Sequence, residues 1–204
     1  MTLGSHLMGT PYSSDHNDPF PATMSLKRVS THGTSPEWGE SWGEPRLLLL
    51  GGLPRPIGYL GVAQSGTLYF GYQGEDGSGD LDIHFSTYLN GSYSKPESLG
   101  PEVNSRYSEG AVFVAPDESY LIFVVWGHPE SNGDSDLYMS TRGNNSTWGK
   151  ARNMGAPINT EDNEGCPSVS PDGEFFFYFR VDLSGQTPKG ATYWLGSGAV
   201  GIVR

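Results

Sequence analysis

Two glutamates, Glu109 and Glu164, stand 55 positions apart, and each follows an asparagine by five residues, Asn104 and Asn159. Carboxylates brought together either repel, which raises one pKa, or hold a hard cation such as calcium through oxygen ligands, to which asparagine carbonyls can add. A calcium with open positions polarises a carbonyl and lowers the pKa of a bound water. In that chemistry Glu109, Glu164, Asn104 and Asn159 are the metal ligands and His128, in a loop, is the proton acceptor. The competing reading gives each Glu the backbone amides of a neighbouring repeat, so that it recurs because the architecture recurs.

Other chemistries find less support. The acidic stretches Glu75-Asp76-Gly77-Ser78-Gly79-Asp80-Leu81-Asp82 and Asn132-Gly133-Asp134-Ser135-Asp136 alternate Asp with Gly as calcium loops do, but lack the spacing and closing Glu of an EF-hand. Asp at a turn commonly caps backbone N–H groups instead. His6, His16, His32, His84 and His128 show no zinc-type spacing, and Cys166 is the single cysteine, which excludes a disulfide framework and a structural zinc. His84 lies inside a strand and is expected to pack. No Gly-x-Ser-x-Gly elbow and no phosphate-binding loop is present. Trp38, Trp42, Trp126, Trp148 and Trp194 could offer stacking surfaces for sugars, but their strand and repeat-equivalent places favour packing.

The elements that must position these groups follow from an internal repeat. An offset of 55 carries Val103-Asn104-Ser105 onto Ile158-Asn159-Thr160, Ser108-Glu109-Gly110 onto Asn163-Glu164-Gly165, and Ala115-Pro116-Asp117 onto Ser170-Pro171-Asp172. Within a unit, Ala111 to Ala115 is a short apolar strand, Pro116-Asp117-Glu118-Ser119 a turn, Tyr120 to Trp126 a strand buried on both faces, and Asp136 to Ser140 a third strand. The counterparts are Pro167 to Ser170, Phe175 to Arg180 and Thr192 to Leu195 in the next unit, and Tyr59 to Ala63, Thr67 to Tyr72 and Leu81 to Ser86 in the preceding one. Hairpin after hairpin at this spacing predicts an all-β protein with little helix, a β-propeller of small antiparallel sheets set around an axis. Glu109 and Glu164, each just before an innermost strand, then converge near that axis.

Asn104-Ser105, Glu109, Pro116-Asp117, Asp134-Ser135-Asp136-Leu137-Tyr138 and Trp148, with Ser170-Pro171-Asp172-Gly173 as the closest match, resemble the repeats of TolB-like (WD-repeat-like) propellers. The closing Ala191-Thr192-Tyr193-Trp194-Leu195 is similar to the family's usual last strand, which predicts a natural C-terminus. The resemblance covers residues 57–204 strongly and 25–50 weakly, and implies a fold rather than one function. The first full unit departs from it, with Gln64-Ser65-Gly66-Thr67 in place of Pro-Asp and Ile57 in place of the Glu. The chain is thus expected to hold an irregular segment, 1–24, and one propeller-type domain, 25–204, with about three blades plus a partial one, against the usual four to eight. A degenerate small propeller, a shortened relative of a larger one, and self-association that completes the propeller all remain open.

Composition bounds the partners. The 29 glycines and 15 prolines among 204 residues exclude a helical bundle, and an aromatic content of 12% excludes a disordered tail. A net charge of −11 without a basic stripe argues against nucleic acid. No apolar run reaches the roughly 18 residues of a membrane helix. No signal peptide is visible, so a cytoplasmic place is expected. The sequence points first to a calcium-dependent hydrolase of a small lactone or ester, by analogy of fold with lactonase propellers, its partner a small-molecule substrate. The alternatives are a non-catalytic TolB-like propeller binding a protein, peptide or carbohydrate, and a propeller glycoside hydrolase.

Overall fold

A computed structural model describes residues 25–26, 46–48, 50, 53, 57–73 and 81–202. The expectations placed on residues 1–24, His6, His16, His32, Trp38, Trp42 and the stretch 75–80 lie outside the described residues. β1 (Ser25–Leu26) and β2 (Arg46–Leu47) pair antiparallel. Three larger antiparallel sheets of like build follow. The first holds β3 (Gly58–Val62), β4 (Leu68–Tyr72) and β5 (Asp82–Ser86); after the small hairpin of β6 (Tyr88–Leu89) and β7 (Ser92–Tyr93), β8 (Glu97–Ser98) closes it in the order β3-β4-β5-β8. The second has the order β9 (Ser108–Val114), β10 (Tyr120–Trp126), β11 (Ser135–Thr141), β12 (Arg152–Asn153). The third has three strands, β13 (Asn163–Val169), β14 (Phe175–Asp182) and β15 (Lys189–Gly196), followed by a single 3-10 turn, Ser197–Val200. The protein is all-β.

The sequence explains why each strand forms where it does. β10 reads Tyr-Leu-Ile-Phe-Val-Val-Trp, and residues 121–125 are buried on both faces, the environment that favours β-branched and aromatic side chains. The preceding turn is fixed by Asp117, whose Oδ1 accepts the Ser119 N–H at 3.0 Å; Asp172 does the same for Glu174 at 3.0 Å. The left-handed position of this turn is Gly66, Glu118 and Gly173 in the three sheets. Glu118 (φ 59°) stands where its counterparts are glycines.

Each first strand carries a bulge with a non-glycine residue in the left-handed region: Tyr59 (φ 53°), Ala111 (φ 47°) and Cys166 (φ 52°). Such a residue costs about 1–2 kcal/mol, so its threefold recurrence marks it as part of the design of the unit. The bulges let pairing continue upstream of Ala111 and Pro167. Glu109 and Glu164 therefore lie inside β9 and β13, not just before them as the sequence predicts.

The sheets stack in series, and β3, β9 and β13 are successive neighbours. Tyr69 and Ile83 of the first sheet pack with Leu121, Phe123 and Val125 of the second. The opposite face of the second, Ile122, Val124 and Leu137, packs on Phe176 and Tyr178 of the third. Leu68, Phe70 and Tyr72 close the near side against Leu50.

Candidate functional site

Asn104 and Asn159 hold one sheet to the next. The Asn104 Oδ1 accepts the Ile83 N–H at 2.8 Å while its Nδ2 donates to the Ile83 carbonyl at 2.9 Å and to Ser98 Oγ at 2.9 Å. Asn159 repeats the pattern on Leu137, accepting at 2.9 Å and donating at 2.8 Å, with Asn153 Oδ1 as a further acceptor at 2.7 Å. Each side chain thus acts as one extra rung of the preceding sheet, on a third strand whose backbone is out of water. The two asparagines spend their amides on different sheets.

Glu109 and Glu164 are buried side chains that lock the turn before their own strands. Ser105 Oγ donates to Glu109 Oε1 at 2.5 Å and accepts the Tyr107 N–H at 3.1 Å. Thr160 Oγ1 donates to Glu164 Oε1 at 2.7 Å, and the Thr160 N–H donates to Oε2 at 3.2 Å. The strands opposite them differ. Val125 faces Glu109 in register, whereas Arg180 faces Glu164 and its Nε donates to Oε1 at 2.9 Å. Burial pushes the Glu164 carboxyl above its usual range, opposed by the Thr160 bonds and by the Arg180 charge. The Arg180 Nη2 also donates to the Ile158 carbonyl at 2.8 Å, and its guanidinium lies 4.7 Å from the Tyr193 ring centroid. A fixed guanidinium thus sits on the carboxylate that the calcium arrangement needs, and among the described residues no three His, Cys, Asp or Glu side chains gather into a metal-holding group. Arg180 is the member of this cluster that motif reading passes over. Its signal is a single cation directly after the aromatic run Phe175 to Phe179, at the repeat place of Val125.

His128 is half-buried against Tyr107 (ring centroids 4.8 Å) and Tyr138 (5.6 Å), and its Nδ1 accepts the Glu130 N–H at 3.1 Å. His84 packs edge-on against Tyr72 at 5.3 Å. At the start of β11, Asp136 accepts the N–H groups of Asn132 (3.1 Å) and Gly133 (3.3 Å) from the preceding loop and the Asn153 Nδ2 (2.7 Å). It serves as the capping residue of the loop. Trp126 and Trp148 pack against the cores, but Trp194 is 64% exposed, against expectation.

The described residues also form an open cavity of about 290 Å³ between the first and second sheets. Tyr69 and Phe85 stack at 6.2 Å, and Trp148 meets Tyr69 edge-on at 6.1 Å. Glu102, Arg142, Ser146 and Thr147 surround these rings. Arg142 is held still: Nη1 bonds Glu118 Oε2 at 2.6 Å, Nε donates to the Ser146 carbonyl at 3.0 Å, and the guanidinium lies 5.3 Å from the Trp148 ring centroid. Glu118 also accepts Tyr69 Oη at 2.9 Å and a short bond from Ser65 Oγ, which explains why a left-handed Glu is tolerated in that turn. The sequence signals this cavity weakly, because its polar rim comes from residues 142–147 and the turn at Glu102, neither of which carries a motif.

Burial opposes ionisation of Glu118, but bonds from Ser65, Tyr69 and Arg142 outweigh it and hold the carboxyl below the usual range. A depressed carboxyl stabilises the fold above its unfolded pKa, about 4.3, and loses that contribution as pH falls through the lower folded value. Glu118→Gln is therefore expected to lower the melting temperature by about 6 °C at pH 7, corresponding to about 2 kcal/mol. The gap to the parent protein should close below about pH 4 in calorimetric scans. A gap constant from pH 7 to pH 3 would refute this account of Glu118.

No family model matches the chain, and no curated protein matches it. A solved RGII complex of BT0996 is similar over 77% of this chain, with a TM-score of 0.48 and 12% identity. The chain spans 59% of that structure's length. A likeness of this depth bears on neither site nor function.

The described residues contain no helix long and apolar enough to cross a membrane.

Proposed function

We propose that the chain is a non-catalytic binding module built on TolB-like propeller repeats, and that it takes a carbohydrate in the cavity between the first and second sheets. The serial packing of β3, β9 and β13 and the equivalent Asn and Glu locks support the propeller reading, with three blades among the described residues. The observation that carries the function is the cavity wall. Two half-buried aromatic rings, Phe85 and Trp148, backed by the buried Tyr69, lie beside an immobilised guanidinium, a carboxylate and two hydroxyl side chains. A sugar ring has an apolar C–H face that stacks on an aromatic and an equatorial belt of hydroxyls that needs such partners. The hydrolase reading draws less support, because its four ligands are engaged in holding turns and sheets together.

Tryptophan fluorescence and calorimetry with a panel of neutral and acidic saccharides test the reading. A saturable response is expected, weakened at least about fivefold by Glu102→Gln or Thr147→Ala with the melting temperature unchanged. Absence of saturation with every saccharide would refute the carbohydrate assignment. Chelator-sensitive turnover of a lactone or ester would replace it with the calcium-dependent hydrolase.

A further inference from the structure

The three sheets repeat one packing rule, and the third breaks it. Tyr69, Ile83 and Phe85 of the first sheet correspond in register to Ile122, Leu137 and Met139 of the second and to Phe177, Thr192 and Trp194 of the third. The first set packs against the second sheet and the second set against the third. The third set meets no further sheet among the described residues. Phe175 (37% exposed), Phe179 (37%) and Trp194 (64%) lie open on it. The residues that alternate onto it, Phe175, Phe177, Phe179, Thr192 and Trp194, include no ionised group in a chain whose net charge is −11. In an acidic chain, repulsion between copies is least where the contacting surface carries no charge of its own.

We infer that this face of β14 and β15 is a self-association surface that takes a second copy of the chain, face to face across a two-fold axis. The occupant must be a flat, apolar β-surface, since a sheet of this same chain covers both counterpart faces. A two-fold contact pairs the patch with itself, so it needs no second exposed surface and it closes after two copies. Three strands of about eight residues present roughly 400 Å² in plan per copy, about 800 Å² for the pair, which is below the usual specific interface and fits a weak, transient contact. The dimer should therefore dissociate in the micromolar range.

Sedimentation equilibrium of the full chain from about 1 to about 200 μM is expected to show a monomer–dimer equilibrium. Trp194→Glu and Thr192→Arg each place a charge on the face and should weaken dimerisation at least about tenfold. Both residues are exposed, so circular dichroism should show the fold retained. Leu89→Glu changes an exposed apolar residue of β6, away from the face, and should leave the equilibrium unchanged. A monomer across the whole range overturns the inference; shielding of Trp194 from acrylamide in that monomer would assign the cover to the chain's own remaining residues. A dimer that survives both face variants, or that Leu89→Glu breaks equally, overturns it as well.

Discussion

Replacing Arg180 by methionine will cost the protein about 10 °C of melting temperature at pH 7, corresponding to about 3–4 kcal/mol. Methionine keeps much of the length and the apolar stem of arginine, so packing on Tyr178 and Tyr193 is largely preserved. What disappears is the positive charge that faces a Glu164 side chain with no solvent exposure, together with the bonds to the Pro157 and Ile158 carbonyls. A buried carboxylate without its cation either stays charged at high cost or takes up a proton. Glu164 is already pushed upward by burial, and loss of Arg180 removes one of the forces that oppose this. A carboxyl whose folded pKa lies above its unfolded value contributes stability below the unfolded pKa, and that contribution is lost as pH rises through the folded one. The deficit of Arg180→Met must therefore grow from about pH 4 upward and be largest at neutral pH. Adding Glu164→Gln should restore part of the loss at pH 7, since a neutral amide can still bond Thr160. A deficit that ignores pH, or a double variant no better than the single one, would show that the ion pair contributes nothing at this place.

The architecture was legible in the sequence because it repeats. The turn Pro116-Asp117 and the strand Tyr120–Trp126 are local features with local causes, and an offset of 55 multiplies their signal. The site was legible by position and not by chemistry. Asn104, Glu109, Asn159 and Glu164 stand out because they recur, but recurrence in a repeat protein is also what a structural lock produces, and their partners here are backbone groups, hydroxyls, the Asn153 amide and, for Glu164, the Arg180 guanidinium. Deciding between ligand and lock takes the partner of each atom, which spacing does not contain. Arg180 could be placed on β14 but not opposite Glu164, because a bulge at Cys166 sets that register. The exposed third face was hidden for a similar reason. Its Phe and Trp read as core on pattern alone, and only the absence of a fourth described sheet beyond them leaves them open.

Asn159 separates the lock from the metal ligand more sharply than any other residue. Asn159→Ala should lower stability by about 1–3 kcal/mol, because the Leu137 N–H loses its partner at a residue with no solvent exposure while the carbonyl keeps only the Met154 N–H. Asn159→Asp is the decisive change. An aspartate keeps the acceptor for the Leu137 N–H but loses the donor for the Leu137 carbonyl and for Asn153, and sets a charge beside two oxygens. As a lock it fails, and the protein should melt at least about 8 °C lower at pH 7, with calcium giving no recovery. As a calcium ligand it improves, since a carboxylate binds the hard cation more strongly than an amide carbonyl does. Calcium would then raise the melting temperature of Asn159→Asp more than that of the parent protein. Asn104→Asp, facing Ile83 in the same geometry, should behave alike and supplies an independent copy of the test within one chain. Calorimetry of the parent and the two Asp variants, each with calcium and with chelator, reads the answer directly. A calcium-dependent rise in both variants would return these asparagines, with Glu109 and Glu164, to a metal site and the chain to the hydrolases.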